Sequence, residues 1–181
     1  MARAASTARL SLSQELRDAL NQTPDYSVDF THRVAGLSRL LEDQLKLPVK
    51  HEPDMNDSVS QMISLWVDQG GHPISPRDER ARWRLNTHIS SKGPYYAFVV
   101  LNLSSADWAK VGLPEPQPYW APVDRAKMPP ALRSIEKRIA SVLRAECFQP
   151  ISDAVLSKNM GYKTELGESA TVFDVLFGES C

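Results

Sequence analysis

Trp83-Arg-Leu-Asn-Thr-His-Ile89, then Ser91-Lys-Gly-Pro94, then Tyr95-Tyr-Ala-Phe-Val-Val-Leu101: two runs rich in β-branched and aromatic residues, joined by a short polar turn, read as a β-hairpin. Pairing Ser90 with Tyr96 puts Trp83, Leu85, Thr87, Ile89, Ala97, Val99, Leu101 and Leu103 on one face, a coherent core face. Arg84, Asn86, His88, Tyr96, Phe98, Val100 and Asn102 then share the other. Arg, Asn and His mixed with Tyr and Phe suit a face that is either covered by helices or open to a partner.

After the hairpin comes Leu113-Pro-Glu-Pro-Gln-Pro-Tyr119-Trp120-Ala-Pro122. Six of the thirteen prolines fall between Pro114 and Pro130. Such a segment is stiff and semi-extended, and it carries Tyr119 and Trp120 as possible contact residues.

Around this centre the pattern is helical. Ser11-Leu-Ser-Gln14 resembles a capping box and opens a short amphipathic helix over 12–21, with Leu12, Leu16 and Leu20 on one face. A second helix begins near Asp29 or Thr31, carries Phe30, Val34, Leu37, Leu41 and Leu45 inward, and ends at Pro48. Gly36 inside it suggests a close helix contact. Residues 51–57 read as loop. Residues 59–67 suit either a strand or a helix; their alternation and the following Gly70-Gly71 favour a strand over 61–68. Pro129-Pro130 leads a third helix to about Arg144, with Leu132, Ile135, Ile139 and Leu143 inward and Arg133, Lys137, Arg138 and Arg144 outward. Thr171-Val-Phe-Asp-Val-Leu-Phe177 reads as a closing strand. The expected fold is α+β: helices packed on one face of a small, mainly antiparallel sheet of four or five strands. Residues 1–10 form a flexible N-terminus and 11–181 a single domain.

The 181 residues are 42% hydrophobic and 24% charged, an ordinary globular balance. No apolar run could span a bilayer, and the small basic N-terminus is not followed by the apolar stretch of a secretory signal. Cys147 and Cys181 are too few and too placed at random to make a disulfide framework. A cytoplasmic location is the expectation. The net charge of −1 hides an asymmetry: residues 1–76 carry −3, 77–144 carry +6 and 145–181 carry −4.

Signatures of chemistry are weak. His32, His51, His72 and His88 have no metal-ligand spacing, although His51, Asp54 and Asp57 share a loop. Cys147 follows a helix C-terminus, which disfavours a thiolate, and reads as a buried core residue. There is no Gly-x-Ser-x-Gly elbow and no phosphate loop, so no cofactor is expected. Arg77, Arg80, Arg82, Arg84 and Lys92 near Tyr95, Tyr96 and Phe98 could serve single-stranded nucleic acid, but the pI near 6.4 argues for a lesser role. An enzyme site, if present, would centre on His88, Arg84 and Asn86.

A protein partner fits the composition best, since Tyr, Trp and Arg dominate binding hot spots. The expected function is a non-enzymatic protein-binding module. One concrete form is a bacterial immunity protein that occludes the active site of a basic toxin domain. Arg84, Tyr96, Tyr119 and Trp120 are the candidate anchors, and Asp153, Glu165, Glu168 and Asp174 the candidate acidic contacts.

Overall fold

The computed structural model describes residues 12–53, 59–76, 78–104, 119–122, 125–163 and 169–178. Helix α1 spans Gln14–Leu20 and α2 spans Val28–Leu45. A serine oxygen caps each: Leu16 donates its backbone N–H to Ser13 Oγ, and Phe30 donates its own to Ser27 Oγ. Each cap satisfies one of the amide donors that a first turn leaves unpaired. Ser13, rather than Ser11, is therefore the cap of α1. The start of α2 at Val28 is a little earlier than the apolar spacing suggested.

The main sheet consists of β1 (Lys50–Glu52), β2 (Ser60–Val67), β3 (Pro73–Ile74), β4 (Trp83–Ser90), β5 (Tyr95–Ser104), β6 (Tyr119–Pro122) and β7 (Gln149–Pro150). Its order is β1-β2-β4-β5-β6, with β3 added to β2 and β7 to β5. All pairings are antiparallel except β5–β7. The ambiguous segment after Val59 is thus a strand, buried along almost its whole length. A helix α3 (Pro130–Ala145) precedes β7, and α4 (Asp153–Leu156) follows it. A separate ribbon of β8 (Asn159–Lys163) and β9 (Ser169–Thr171) leads into α5 (Val172–Phe177). The closing segment is therefore a helix, not the strand that its Val and Phe content suggested. Thr171 and Asp174 cap it reciprocally, and Val172, Val175 and Leu176 fall on one helical face.

The hairpin is present, but its register is one residue away from the one the apolar pattern favoured. Ile89, not Ser90, lies opposite Tyr96, and Leu85 lies opposite Val100. Leu85, Thr87 and Ile89 therefore share a face with Tyr96, Phe98 and Val100, and with Ile63, Leu65 and Val67 of β2. Helices α2 and α3 cover this face through Phe30, Val34, Leu41, Leu132, Ile139 and Leu143, which together form the larger core. A second apolar group lies at one end of the other face. There Tyr95 and Ala97 pack with Leu16, Ala19 and Leu20 of α1 and with Val172, Leu176 and Phe177 of α5. Both faces of the hairpin are thus covered, which is why Ala97 and Tyr96 are equally buried.

Gly36 does not mark a close helix crossing, since a Cβ there would meet nothing within 4 Å. Gly71 does mark a close approach. It adopts φ +84, and an added Cβ would lie 2.7 Å from Ala131 Cβ at the start of α3.

Candidate functional site

Strand β4 presents Arg84, Asn86 and His88 on one face, by the two-residue alternation of a strand. The structure uses each of them internally. The Arg84 guanidinium pairs with Glu52 of β1 and lies 3.0 Å from Ser64 Oγ of β2. Ser64 Oγ in turn lies 3.0 Å from both Glu52 Oε2 and Asn86 Oδ1. Arg84 also stacks over the Trp66 ring at 5.0 Å, a cation–π contact. Burial lowers the guanidinium pKa, and the Glu52 charge works against that shift.

His88 lies two residues on, beneath α5. Its ring meets Phe173 and Phe177 edge-on, at 5.4 and 6.4 Å. Its Nδ1 is 3.4 Å from Ser60 Oγ, which gives its own proton to the Phe177 carbonyl at 2.8 Å. A hydroxyl has one proton to donate, so the imidazole is the donor in the first contact. Burial, and secondarily Arg84, pushes His88 down to about 4. It is therefore neutral at pH 7, half-buried with two phenyl rings against it. The three polar residues of β4 are neighbours, as the alternation indicated, but they form a brace between strands and helix rather than an open catalytic surface.

The aromatic residues are placed differently from the expectation. Tyr95 and Tyr96 are 5% and 1% exposed and point to opposite faces. Neither offers a ring for stacking a base or anchoring a partner. The nearby arginines are also engaged. Arg80 pairs with Asp78, whose carboxyl it holds near 2, and Arg82 donates to the Glu79 and Ala81 carbonyls. The stacking platform proposed for nucleic acid is thus absent among the described residues. Arg77 lies outside them.

Of the acidic candidates, Asp174 is occupied in the cap of α5, accepting from the backbone N–H and the hydroxyl of Thr171, both at 2.7 Å. Asp153 is exposed and faces Arg125 at 3.4 Å. Glu165 and Glu168 lie outside the described residues, as do Asp54 and Asp57. Tyr119 and Trp120 form the start of β6, opposite Ser104 and Leu103; their side chains are not described. Cys147 is exposed, two residues beyond α3 and at φ 65. It is therefore not the core residue that its position after an apolar helix suggested.

What the structure does bring together is a site at the edge of β5. Strand β6 pairs with Leu101–Ser104, while β7 pairs with Tyr95 and Tyr96 on the same edge. Between them, Ala97–Val100 has no strand partner on that side among the described residues. The Pro94 and Tyr96 carbonyls accept from Gln149 and Ile151 on this edge. By alternation, the peptide groups of Phe98 and Val100 face the same way.

Beside this interruption lies a pocket of about 310 Å³, whose walls include Phe98, Arg125, Glu136, Lys137, Arg144 and Asp153. Tyr96 also contributes to its lining, and its buried hydroxyl has no partner among the described residues. Arg125, on a short 3₁₀ turn, pairs with both Glu136 of α3 and Asp153 at the start of α4. One guanidinium thus faces both acids and offsets one of their two charges. Lys137 and Arg144, seven residues apart on α3, stay exposed with no partner among the described residues. The other two outward cations of α3 are engaged: Arg133 donates to the Met128 and Ala126 carbonyls, and Arg138 to that of Leu45.

Sequence reasoning gave Lys137, Arg144, Phe98 and Asp153 separately but not their convergence. The convergence depends on the parallel return of β7 beside β5, and a two-residue strand carries almost no periodic signal. Among the described residues, no group of three or more His, Cys, Asp or Glu side chains could hold a metal, and no helix is long and apolar enough to cross a membrane. No family model, curated protein or solved structure matches the chain.

Proposed function

We propose that the protein is a non-enzymatic binding module that engages another protein at the β5–β6 edge. The supporting observation is the pocket beside β5, whose walls carry Phe98 and five charged side chains, two of which, Lys137 and Arg144, are exposed with no partner among the described residues. The side chains that would make the alternative, an enzyme at His88, are instead packed against Phe173 of α5 or tied up with Glu52 and Ser64.

The narrower form of this reading, an immunity protein against a basic toxin domain, rests on charge segregation alone. Asp153 and Asp174 are both used within the fold, so an acidic docking tail would fall to Glu165 and Glu168. The contact surface favoured by the geometry is instead the basic-edged pocket and β6, with Trp120 beside it.

The test is to pan a random peptide display library on the immobilised full chain and follow enriched peptides by hydrogen–deuterium exchange. The reading expects a convergent peptide set whose binding slows exchange in β5 and β6. Absence of enrichment over an unfolded control, or protection confined to α2 or α5, would overturn it.

A further inference from the structure

A second cavity, of about 530 Å³, lies where α2 meets the turn between α3 and β7. Its size falls within the range of about 300–1,000 Å³ common for small-molecule sites. Arg33, Gly36, Leu37 and Leu40 face it from α2, at the spacing of one helical stripe. Pro94 of the hairpin turn and Phe148 complete the apolar wall. The chain reaches Phe148 through Cys147, whose φ of 65 turns it sharply after α3. Phe148 is therefore buried, while Cys147 stands exposed at the rim.

Gly36 is the member of this wall that the described fold does not account for. A glycine inside a helix weakens it relative to alanine. Glycine is otherwise suited to a positive φ or to a close approach to the backbone. Gly36 has no positive φ, and a Cβ built on it meets nothing within 4 Å. No neighbouring element needs the space. The space opens into the cavity, in the middle of the α2 stripe, and leaves bare helix backbone facing an incoming molecule.

A flat ring is the shape that gains most from such a floor. It can lie against exposed peptide groups where any side chain would hold it off, with Leu37, Leu40 and Phe148 around it. The lining also disfavours ions. Among the described residues its two charged members are Arg33 and Glu146, of opposite sign. An ion of either sign meets one attraction and one repulsion and gives up its hydration as well. The Arg33 guanidinium already lies over the Phe148 and Phe30 rings, at 5.7 and 5.9 Å.

We propose that this cavity binds a small, neutral, flat aromatic molecule seated on the Gly36 backbone between Leu40 and Phe148. It shares no lining residue with the pocket beside β5, so this inference and the protein-binding reading can fail separately.

The experiment titrates the full chain with indole, the cation tryptamine, the anion indole-3-acetate, and cyclohexylmethanol, which is apolar but not flat. Backbone amide shifts locate the binding. Indole should give saturable shifts at Gly36, Leu40 and Phe148 and should bind at least about threefold tighter than each of the other three. Gly36→Leu fills the cavity from its floor and should weaken indole by about tenfold or more, with a urea midpoint equal to or above that of the wild type. Gly36→Ala should weaken it less. In a Cys181→Ser background Cys147 is the one thiol. Indole should slow its alkylation by iodoacetamide, and should fail to do so once Gly36→Leu is added.

Shifts that do not saturate, or that cluster away from these amides, would overturn the inference. Equal binding of indole by the wild type and both Gly36 variants would overturn it too. A fall in urea midpoint for Gly36→Ala would show that glycine serves packing within the fold, and would remove the argument for an external ring. A preference for tryptamine, indole-3-acetate or cyclohexylmethanol would overturn the assigned ligand class.

Discussion

Arg84 and Glu52 pair across an intervening strand: β4 carries the guanidinium, β1 the carboxylate, and Ser64 of β2 lies between them. Their side chains are only 18% and 20% exposed. Removing one member leaves the other charge poorly solvated, and that cost commonly exceeds the net worth of the pair. Glu52→Ala should therefore destabilise the protein by about 2 kcal/mol, less than for a fully buried pair because water still reaches the site. The double variant E52A/R84M should recover part of that loss. Urea unfolding of the three proteins checks the order; a double variant less stable than E52A would show that Arg84 contributes through its Trp66 stacking instead.

His88 makes the fold sensitive to acid in a defined window. The imidazole is held near 4 in the folded state, against about 6.5 in an unfolded chain. As pH falls from 6.5 towards 4, the unfolded chain takes up a proton that the folded one refuses. Stability is therefore present above 6.5 and is lost progressively down to about 4, by up to about 3 kcal/mol from this group. His88→Leu removes the titration. Its stability should fall less between pH 7 and pH 4.5 than the wild type's, as read from urea midpoints. Parallel pH profiles would show that the imidazole is not excluded from protonation.

Gly71 should tolerate no side chain. Its φ of +84 is unfavourable for L-residues, and a Cβ would lie 2.7 Å from that of Ala131. Strain and overlap together should make Gly71→Ala cost about 2 kcal/mol. The double variant G71A/A131G relieves the overlap but not the backbone strain, and should recover only part of the loss. Thermal melts of the two variants separate the contributions.

Trp120 tests the contact edge independently of charge. In β6 it lies opposite Leu103 of β5. Trp120→Ala should weaken peptides selected on the wild type by about tenfold, the scale of an aromatic hot spot. The melting temperature should stay within a few degrees. A large drop in melting temperature would assign the indole to packing instead.

The parts of this fold legible in the sequence are those in which one signal acts alone. Helix α3 follows Pro129-Pro130 and keeps Leu132, Ile135, Ile139 and Leu143 at helical spacing, so its apolar stripe and its start agree. The hairpin was legible as two strands but not in register. Register is read from a contrast between an apolar and a polar face. Here α2 and α3 cover one face while α1 and α5 cover part of the other, so Ala97 and Tyr96 both fit a core. The last segment misled for a related reason. Val172, Phe173, Val175 and Phe177 have strand propensity, but the Thr171–Asp174 capping box fixes the first turn of a helix. At the candidate site, Lys137 and Arg144 were visible as outward cations. Their isolation was not, because it follows from Arg125 reaching Glu136 and Asp153 through the tertiary structure.

The smaller core joins opposite ends of the described chain. Leu16, Ala19 and Leu20 of α1 meet Val172, Val175 and Leu176 of α5, and Ser60 is bonded to the Phe177 carbonyl across 117 positions. A chain made from its N-terminus exposes the apolar stripe of α1 first and supplies the cover last. On the ribosome, α1 must therefore wait for α5 to emerge, while the α2–α3 face can assemble without α5. Nascent chains halted between Ala145 and Thr171 should carry that stripe uncovered, at the stage when vectorial folding is most open to chaperone capture.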